Sequence, residues 1–352
     1  MELRSEPRMS KLHTEVTESE PQPRYAAVLG SLLRARAFGA IAVIVVLGAI
    51  FQGMSGNFLT GSELAGIFTV AAPLGITGAG VALLMISGEF DLSVGSMFAI
   101  TPIVMGELIF KASWNIWPAF FVALLVPLTF GILHGLITTR AGIPSFIITL
   151  GSYFLLDGAA FVVTSGYPIV DLQRSTLFSL LGGSFGSSGF SAPMIWMVGI
   201  TLCLAAVLNF TAFGNWSFAA GGRAGIGRAL GVPIARVKTV NFCICALLAG
   251  FAGCTTFANV GSAAAGSGST NNLLAIVAAV LGGTSLFGIE GSIIGTMFGA
   301  IILGMLETGL VLVGAPGDLY EAMIGAILIV AVLVNVRLNR FGVFLSRVGA
   351  SR

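Results

Sequence analysis

The residues with the clearest chemical potential are ionisable side chains inside apolar stretches, namely Asp157, His134 and Glu307. A charged side chain at the centre of a bilayer costs at least about 2.5 kcal/mol unless it lines a cavity or finds a partner. Asp157 lies about two-thirds of the way along its stretch and is the best candidate for a group that faces a solute path. His134 is more typical of a buried packing histidine with satisfied hydrogen bonds. Together the three residues could also form the titrating relay of a proton-driven transporter.

A second group of acidic residues lies in two glycine-rich breaks between apolar runs, SGEFDLSVGSM (Ser87 to Met97) and LGGTSLFGIEG (Leu281 to Gly291). Asp91 is predicted to cap the following helix, because a carboxylate can accept hydrogen bonds from backbone amides about three residues on. Glu290 is expected near a helix end, where its charge can reach water. The residues predicted to shape these breaks are Gly88, Asp91, Gly95, Gly283, Glu290 and Gly291.

Glycines also recur after the second break, at Gly291, Gly295 and Gly299. Their four-residue spacing places three missing side chains on one helix face, so a neighbouring helix is expected to approach closely there. The two breaks are about 196 residues apart, and the apolar runs around them superpose roughly at that offset. This offset suggests that the first and last groups of membrane helices are diverged copies.

A third candidate region is the basic segment Gly221 to Lys238, GGRAGIGRALGVPIARVK. It predicts a short helix from about Ala224 to Leu230, a stop at Gly231 and a proline just beyond. By itself such a basic loop could serve only to fix the orientation of the chain in a membrane.

The composition excludes an ordinary soluble domain. Apolar residues make up 56% of the 352 residues and charged residues only 9%, whereas soluble domains carry about 25% charged residues. The net charge of +2 gives no indication of a nucleic-acid partner. Cys243 and Cys245 point to different faces of a helix, so we predict no metal site. We also predict no catalytic residue. The sequence predicts an all-α polytopic membrane protein.

Ten apolar segments are each close to the roughly 20 residues needed to cross a bilayer. Their approximate bounds are Ala37 to Met54, Leu64 to Ile86, Val94 to Phe110, Trp117 to Thr138, Pro144 to Thr164, Pro193 to Phe213, Thr239 to Val260, Leu273 to Leu286, Ser292 to Val313 and Leu319 to Val336. Alternating them from a cytoplasmic N-terminus leaves only Lys111 and Arg174 outside, which satisfies the positive-inside rule. Both termini and both glycine-rich breaks are then cytoplasmic.

Four segments, in order and at matching spacing, resemble the permease subunits of bacterial ABC importers for ribose, xylose, inositol and related sugars. They are GEFDLSVGS (Gly88 to Ser96), PSFIITLGS (Pro144 to Ser152), the basic loop and LGGTSLFGIEGSIIGT (Leu281 to Thr296). The resemblance covers almost the whole chain after about residue 38. It implies the fold of a type II-like ABC importer permease in the bacterial inner membrane.

The resemblance also implies a domain organisation and partners. Residues 1–33 are expected to form a disordered cytoplasmic tail, residues 34–337 the transmembrane permease domain with a coupling loop at 214–238, and residues 338–352 a cytoplasmic C-terminal tail. The implied partners are the lipid bilayer, a second permease subunit, two cytoplasmic ATPase domains and a periplasmic sugar-binding protein, with no nucleic acid. No cofactor is expected in this subunit, because ATP and Mg²⁺ belong to the ATPase.

In the family, the loop position carries a coupling helix that seats in a groove of the ATPase subunit. Gly221, Gly222, Arg228 and Gly231 match its pattern, whereas Arg223 stands where the family has an acidic residue. The chain departs from ribose permeases at further positions. Asp157 and Asn259 stand where ribose permeases tend to have a basic residue, and Asn272 and Leu274 stand where they have an acidic residue and then an aspartate. Asn271 precedes Asn272 directly. These four residues, Asp157, Asn259, Asn271 and Asn272, are the candidates for a solute path.

The leading hypothesis is therefore the permease subunit of an ATP-dependent importer for a monosaccharide or polyol. The chain contains no P-loop, G-x-x-x-x-G-K-[ST], so ATP hydrolysis would come from a separate subunit. The alternatives are a proton-coupled secondary transporter and an ABC permease for a nucleoside or branched-chain amino acid. An intramembrane enzyme is disfavoured, because the sequence suggests no H-E-x-x-H pair, no Ser-His dyad and no paired intramembrane aspartates at the same depth.

Overall fold

The computed structural model describes residues 36–329, except 171–174, 188, 223, 287, 318, 321 and 328. The predicted tails at 1–33 and 338–352 lie outside this range, and so does Arg223.

The described chain is almost entirely helical. The helices are α1 (Arg36–Ser55), α2 (Gly61–Ile86), α3 (Val94–Phe110), α4 (Ile116–Leu136), α5 (Ser145–Thr164), α6 (Thr176–Gly182), α7 (Ala192–Phe210), α8 (Ala212–Gly221), α9 (Ala224–Ala229), α10 (Ile234–Val260), α11 (Asn271–Leu281) and α12 (Ile293–Leu312). A π-helical turn, Ile137–Ala141, continues α4. Two short strands, β1 (Ile169–Val170) and β2 (Ser262–Ala263), pair antiparallel.

Within the described residues, six helices are long and apolar enough to cross a bilayer, namely α2, α4 with its π-helical turn, α5, α7, α10 and α12. The apolar part of α1 (Gly39–Ser55), α3 and α11 are shorter. The tenth predicted segment, Leu319 to Val336, lies half outside the described residues, and its described residues, 319, 320, 322–327 and 329, are helical. The chain is thus an all-α polytopic membrane protein.

The centre of the bundle is α2, which is buried along most of its length and packs against α7, α10, α11 and α12. Its second half, GITGAGVALLM, is rich in small residues that let neighbouring backbones approach. At Gly80, for example, a side chain would press on the backbone of Cys245 in α10. The large exposed apolar side chains of α1, α4, α5 and α7 suit a surface that faces lipid.

The bundle has two ends that differ in content. At the end that we call the coupling end lie α8, α9 and both glycine-rich breaks, between α2 and α3 and between α11 and α12. At the opposite end lie α6 and the β1–β2 ladder, which joins the segment after α5 to the segment after α10.

Helix α11 differs from the prediction of a full crossing over Leu273 to Leu286. It has 11 residues and ends at Leu281, which gives a length of about 16 Å. Its first turn lies inside the bundle, where the Asn272 side chain donates to the Leu92 carbonyl at 3.3 Å and the backbone of Gly268 touches that of Gly95. The segment 264–270 therefore enters the bundle before α11 begins.

The predicted close approach of a helix to the glycine face of α12 is confirmed. Side chains at Gly295 and Gly299 would overlap the carbonyl groups of Gly282 and Ala278, so the backbones of α11 and α12 are in contact. Gly291 precedes α12 and accommodates the side chain of Ile86. Gly283 adopts a left-handed conformation, φ 88°, in the turn after α11.

Candidate coupling and transport sites

The basic loop has the local structure that the sequence predicts. Helix α9 spans Ala224–Ala229, and Gly231 follows in a left-handed conformation with φ 82°. Residues other than glycine rarely adopt this conformation, so Gly231 gives the helix a defined end. The chain then continues through Pro233 into α10.

One face of α9 is anchored and the other is exposed. Gly227 is buried, and beneath the loop Ala220, Ile234 and Val237 form a small apolar cluster. The exposed face carries Ile226, Arg228 and Leu230, and the two apolar side chains are 53% and 79% exposed. Apolar side chains beside a cation on a protruding helix are typical of a docking surface.

Gly221, the last residue of α8, brings three distant chain segments together. A side chain at Gly221 would overlap the carbonyl oxygen of Ile86 at the end of α2. Side chains at Gly88 and Gly288 would in turn press on the Gly221 backbone, at 3.3 Å from its Cα and 2.9 Å from its oxygen. We call this meeting of Gly88, Gly221 and Gly288 the glycine junction.

An ion pair supports the same region. Lys238, in the first turns of α10, contacts the Glu89 carboxylate at 2.5 Å, and both side chains are largely buried. Glu89 follows Gly88 directly, so the first break is connected to the segments on both sides of α9. Gly222, next to Gly221, lies within van der Waals distance of Ile289.

Three buried polar residues form a connected network inside the bundle. His134 Nδ1 lies 3.3 Å from Asp91 Oδ2, and His134 Nε2 lies 2.8 Å from Ser152 Oγ. The network joins the first break to α4 and α5. His134 is thus the satisfied packing histidine that the sequence predicts.

The expectation that the chain has no Ser-His dyad is wrong, because Ser152, His134 and Asp91 are connected in the order of a hydrolase triad. Residue spacing alone could not show this, since the three come from different segments. The arrangement is nevertheless unsuited to nucleophilic catalysis. All three residues are buried, and Ser152 lies within α5, where the neighbouring backbone amides are used by the helix.

The prediction that Asp91 caps α3 directly is wrong, because its carboxylate bonds the residue before the helix and no amide within it. Its carboxylate accepts from the backbone amide of Ser93, two residues on, at 2.8 Å, and also from the Ser93 hydroxyl. Ser93 precedes the first residue of α3. Glu290 is exposed near the start of α12, as expected.

A cavity of about 800 Å³ opens at the opposite end of the bundle, between α2, α3, α10, α11 and α12. Its walls are mostly apolar, and the polar groups include Asn271, Thr270, Thr256 and the carboxylate of Glu307. This volume is larger than the volume of a monosaccharide and falls within the usual range for small-molecule pockets.

The structure does not bring the four path candidates together. Asn271 lines the cavity. Asn259 donates to the Gly182 carbonyl at 2.9 Å, and Asn272 donates to that of Leu92. Asp157 is partly exposed on α5, the least buried of the six long helices, and is not among the residues that line the cavity.

Comparisons with known proteins agree on one family. A family model described as the permease component of branched-chain amino acid transport systems matches residues 63–332. The ribose import permease protein RbsC of Escherichia coli K12 is 34% identical over 303 residues, which cover 84% of this chain and 92% of its own.

Two further relatives have related names. The xylose/arabinose import permease protein XylH of Sulfolobus acidocaldarius is 31% identical over 313 residues, covering 87% of this chain and 86% of its own. The fructose import permease protein FrcC of Rhizobium meliloti is 30% identical over 300 residues, covering 83% of each chain. A comparison with solved structures gives no match.

Proposed function

The chain belongs to the family of branched-chain amino acid transport system permease components, and on that basis we propose that it is the membrane-spanning permease subunit of an ATP-dependent importer for a monosaccharide or polyol. The relatives named as ribose, xylose/arabinose and fructose import permeases support the substrate class. They do not favour a nucleoside or an amino acid.

The observation that carries the proposal is the exposed face of α9 on a helix that is firmly connected to the bundle. Ile226, Arg228 and Leu230 offer a partner both apolar area and a charge. The glycine junction and the Glu89–Lys238 pair connect the two flanks of α9 to the membrane helices. A rigid-body push on α9 by closing ATPase domains would therefore move the bundle.

We propose the partners that an ATP-dependent importer of this kind requires. Two cytoplasmic ATPase domains would bind ATP with Mg²⁺, because the chain has no P-loop. A second permease subunit would complete the membrane part, and a periplasmic binding protein would deliver the solute. In this arrangement ten helices cross the inner membrane with both termini in the cytoplasm, so that the coupling end is cytoplasmic and the cavity opens to the outside.

We propose that the solute path includes the exposed side of α5 and the cavity. Helix α5 is the least buried long helix, and we propose that its partly exposed Asp157 faces the path beside the second permease subunit. Asn271 and Glu307 give the cavity the few polar groups that a weakly held solute needs. Asn259 and Asn272 would shape the path through the backbone carbonyls that they hold.

Reconstitution tests the proposal. In proteoliposomes, the purified protein alone should not accumulate solute, whereas the protein with its ATPase and solute-loaded binding protein should accumulate it on addition of ATP. The control is the same complex with a non-hydrolysable ATP analogue. Accumulation driven by a proton gradient without any ATPase would overturn the proposal and favour a secondary transporter, in which Asp157, His134 and Glu307 would titrate.

A further inference from the structure

The glycine junction unites the coupling loop with both glycine-rich breaks. Gly88 and Gly288 take left-handed conformations, with φ 81° and 80°, and both backbones touch Gly221. Gly288 also touches the Cα of Gly88. Three backbones in direct contact leave no flexible side chain between them, so displacement of one segment must displace the others.

A strained residue lies next to the junction. Ile289 has φ 73°, a left-handed conformation that is a clear outlier for a β-branched residue. Its amide donates to the Ile86 carbonyl at 3.2 Å, which is the same oxygen that a side chain at Gly221 would overlap. The end of α2 therefore holds both the end of α8 and the strained residue of the second break.

The geometry points to a mechanical role, and this inference rests on the proposed function. We propose that the glycine junction is the joint through which a displacement of α9 reaches the α2–α3 break and the α11–α12 break together. Ile289 is the positioning residue, because its strained backbone makes the conformation described here easier to leave when α9 is displaced. Strained backbones persist only where the surrounding structure enforces them, and they cluster at switch regions.

Two variants test the joint in the full importer, with ATPase and binding protein in proteoliposomes. Ile289→Gly removes the strain without introducing a clash, and Gly221→Ala forces the junction apart. The matched controls are Ile289→Val, which keeps the β-branched side chain, and Gly199→Ala, because Gly199 in α7 has no atom near the position of a new methyl group. The measurements are copurification of the ATPase, ATP hydrolysis with and without loaded binding protein, and solute uptake per ATP.

For Ile289→Gly we expect normal assembly but a fall of about tenfold in hydrolysis, because relief of such strain stabilises the conformation described here and shifts a two-state equilibrium toward it by about that factor. Uptake per ATP should fall in both test variants and stay parental in both controls. If Gly221→Ala fails to assemble, Ile289→Gly still decides the question.

If Ile289→Gly shows parental uptake per ATP and parental hydrolysis, the proposed role of the glycine junction as a joint is wrong. Loss of ATPase binding with an unchanged uptake per assembled complex would also overturn it, because Ile289 would then be a docking residue. Failure of the proposed function is a separate result, since the unmodified complex itself would then show no ATP-driven uptake.

Discussion

His134 connects three segments through the two nitrogens of its ring. It contacts Asp91 in the first break and Ser152 in α5, and it lies edge-on to Phe130 and Phe242. Because Asp91 is buried, removing His134 leaves its Oδ2 atom without a hydrogen-bond partner, while Oδ1 keeps its bonds from Ser93. The network thus stabilises the position of α5, which otherwise packs mainly on α3.

We therefore expect His134→Phe to lower the free energy of unfolding by about 2 kcal/mol. His134→Gln keeps hydrogen-bonding capacity and should cost less, and Ser152→Ala should cost about 1 kcal/mol. Thermal unfolding of the detergent-purified protein measures these differences. Equal stability of the Phe variant and the parent would show that the network contributes nothing to the fold.

A second expectation at this scale concerns Asp157. Asp157→Asn should leave the fold and the assembled complex intact while altering transport, because the amide keeps shape and hydrogen bonding but loses charge. Loss of thermal stability or expression ahead of any change in transport per complex would instead indicate a structural partner.

Thiol labelling gives the geometry of that residue directly. In a background without Cys203, Cys243, Cys245 and Cys254, a water-soluble reagent should reach Asp157→Cys in the resting or the ATP-trapped complex. Protection in both states would exclude a path role. Leu156→Cys is the matched control, because the neighbouring Leu156 is buried, and it should stay unlabelled.

The sequence predicts the environment of His134 but not its partners. An ionisable residue in an apolar helix must be satisfied, and this much follows from the free-energy cost of burial. Asp91 and Ser152 are 43 and 18 residues away, and only tertiary packing brings them to opposite sides of the ring. Asn259 and Asn272 illustrate the same limit, since each bonds a backbone carbonyl on a remote segment.

At the scale of elements, α9 is predicted to within one residue because local signals define it. Gly231 and Pro233 end the helix and separate it from α10 whatever the remote contacts are. Helix α11 is predicted less well. Its start depends on segment 264–270 entering the bundle against Gly95, and its end is set by Gly282 and Gly283, which the apolar pattern alone runs past.

The coupling loop gives a prediction of its own. Gly231→Val should destabilise the end of α9, because a branched residue adopts the left-handed conformation only at a cost of about 1–3 kcal/mol. Arg228→Glu should reverse the charge that α9 presents. We expect both variants to insert into the membrane normally and to copurify with less ATPase.

Gly231→Asn is the matched control, because asparagine tolerates the left-handed region, and it should bind the ATPase nearly as the parent does. Normal copurification and parental transport rates in both Gly231→Val and Arg228→Glu would leave the loop with only a topological role.

On the scale of the whole molecule, the two glycine-rich breaks that the sequence relates by an offset lie side by side in the structure. Gly88 and Gly288 are in contact at the same end of the bundle. The alternation of helices and basic residues predicted that both breaks share one face, and the structure places them together with α9. What the sequence could not show is that Gly221 lies between them.

Orientation in the membrane follows as a testable expectation. With the cysteine-free background, Ser113→Cys at the opposite end should react with a membrane-impermeant thiol reagent in intact cells. Ala229→Cys at the coupling end should react only after permeabilisation. The reverse pattern would place the coupling end outside and contradict the basic-residue distribution.

The short length of α11 has a consequence for how the chain is made. At about 16 Å, half of the roughly 30 Å hydrocarbon layer, this helix cannot span a bilayer alone, and its first backbone amides would meet lipid without partners. We therefore expect α11 to remain outside the lipid, beside the translocon, until α12 has been synthesised. The two helices then enter the bilayer together as one hairpin, held by the contact of Gly295 and Gly299 with Gly282 and Ala278. Ribosome-bound chains that stop before α12 should leave Asn271–Leu281 open to protease.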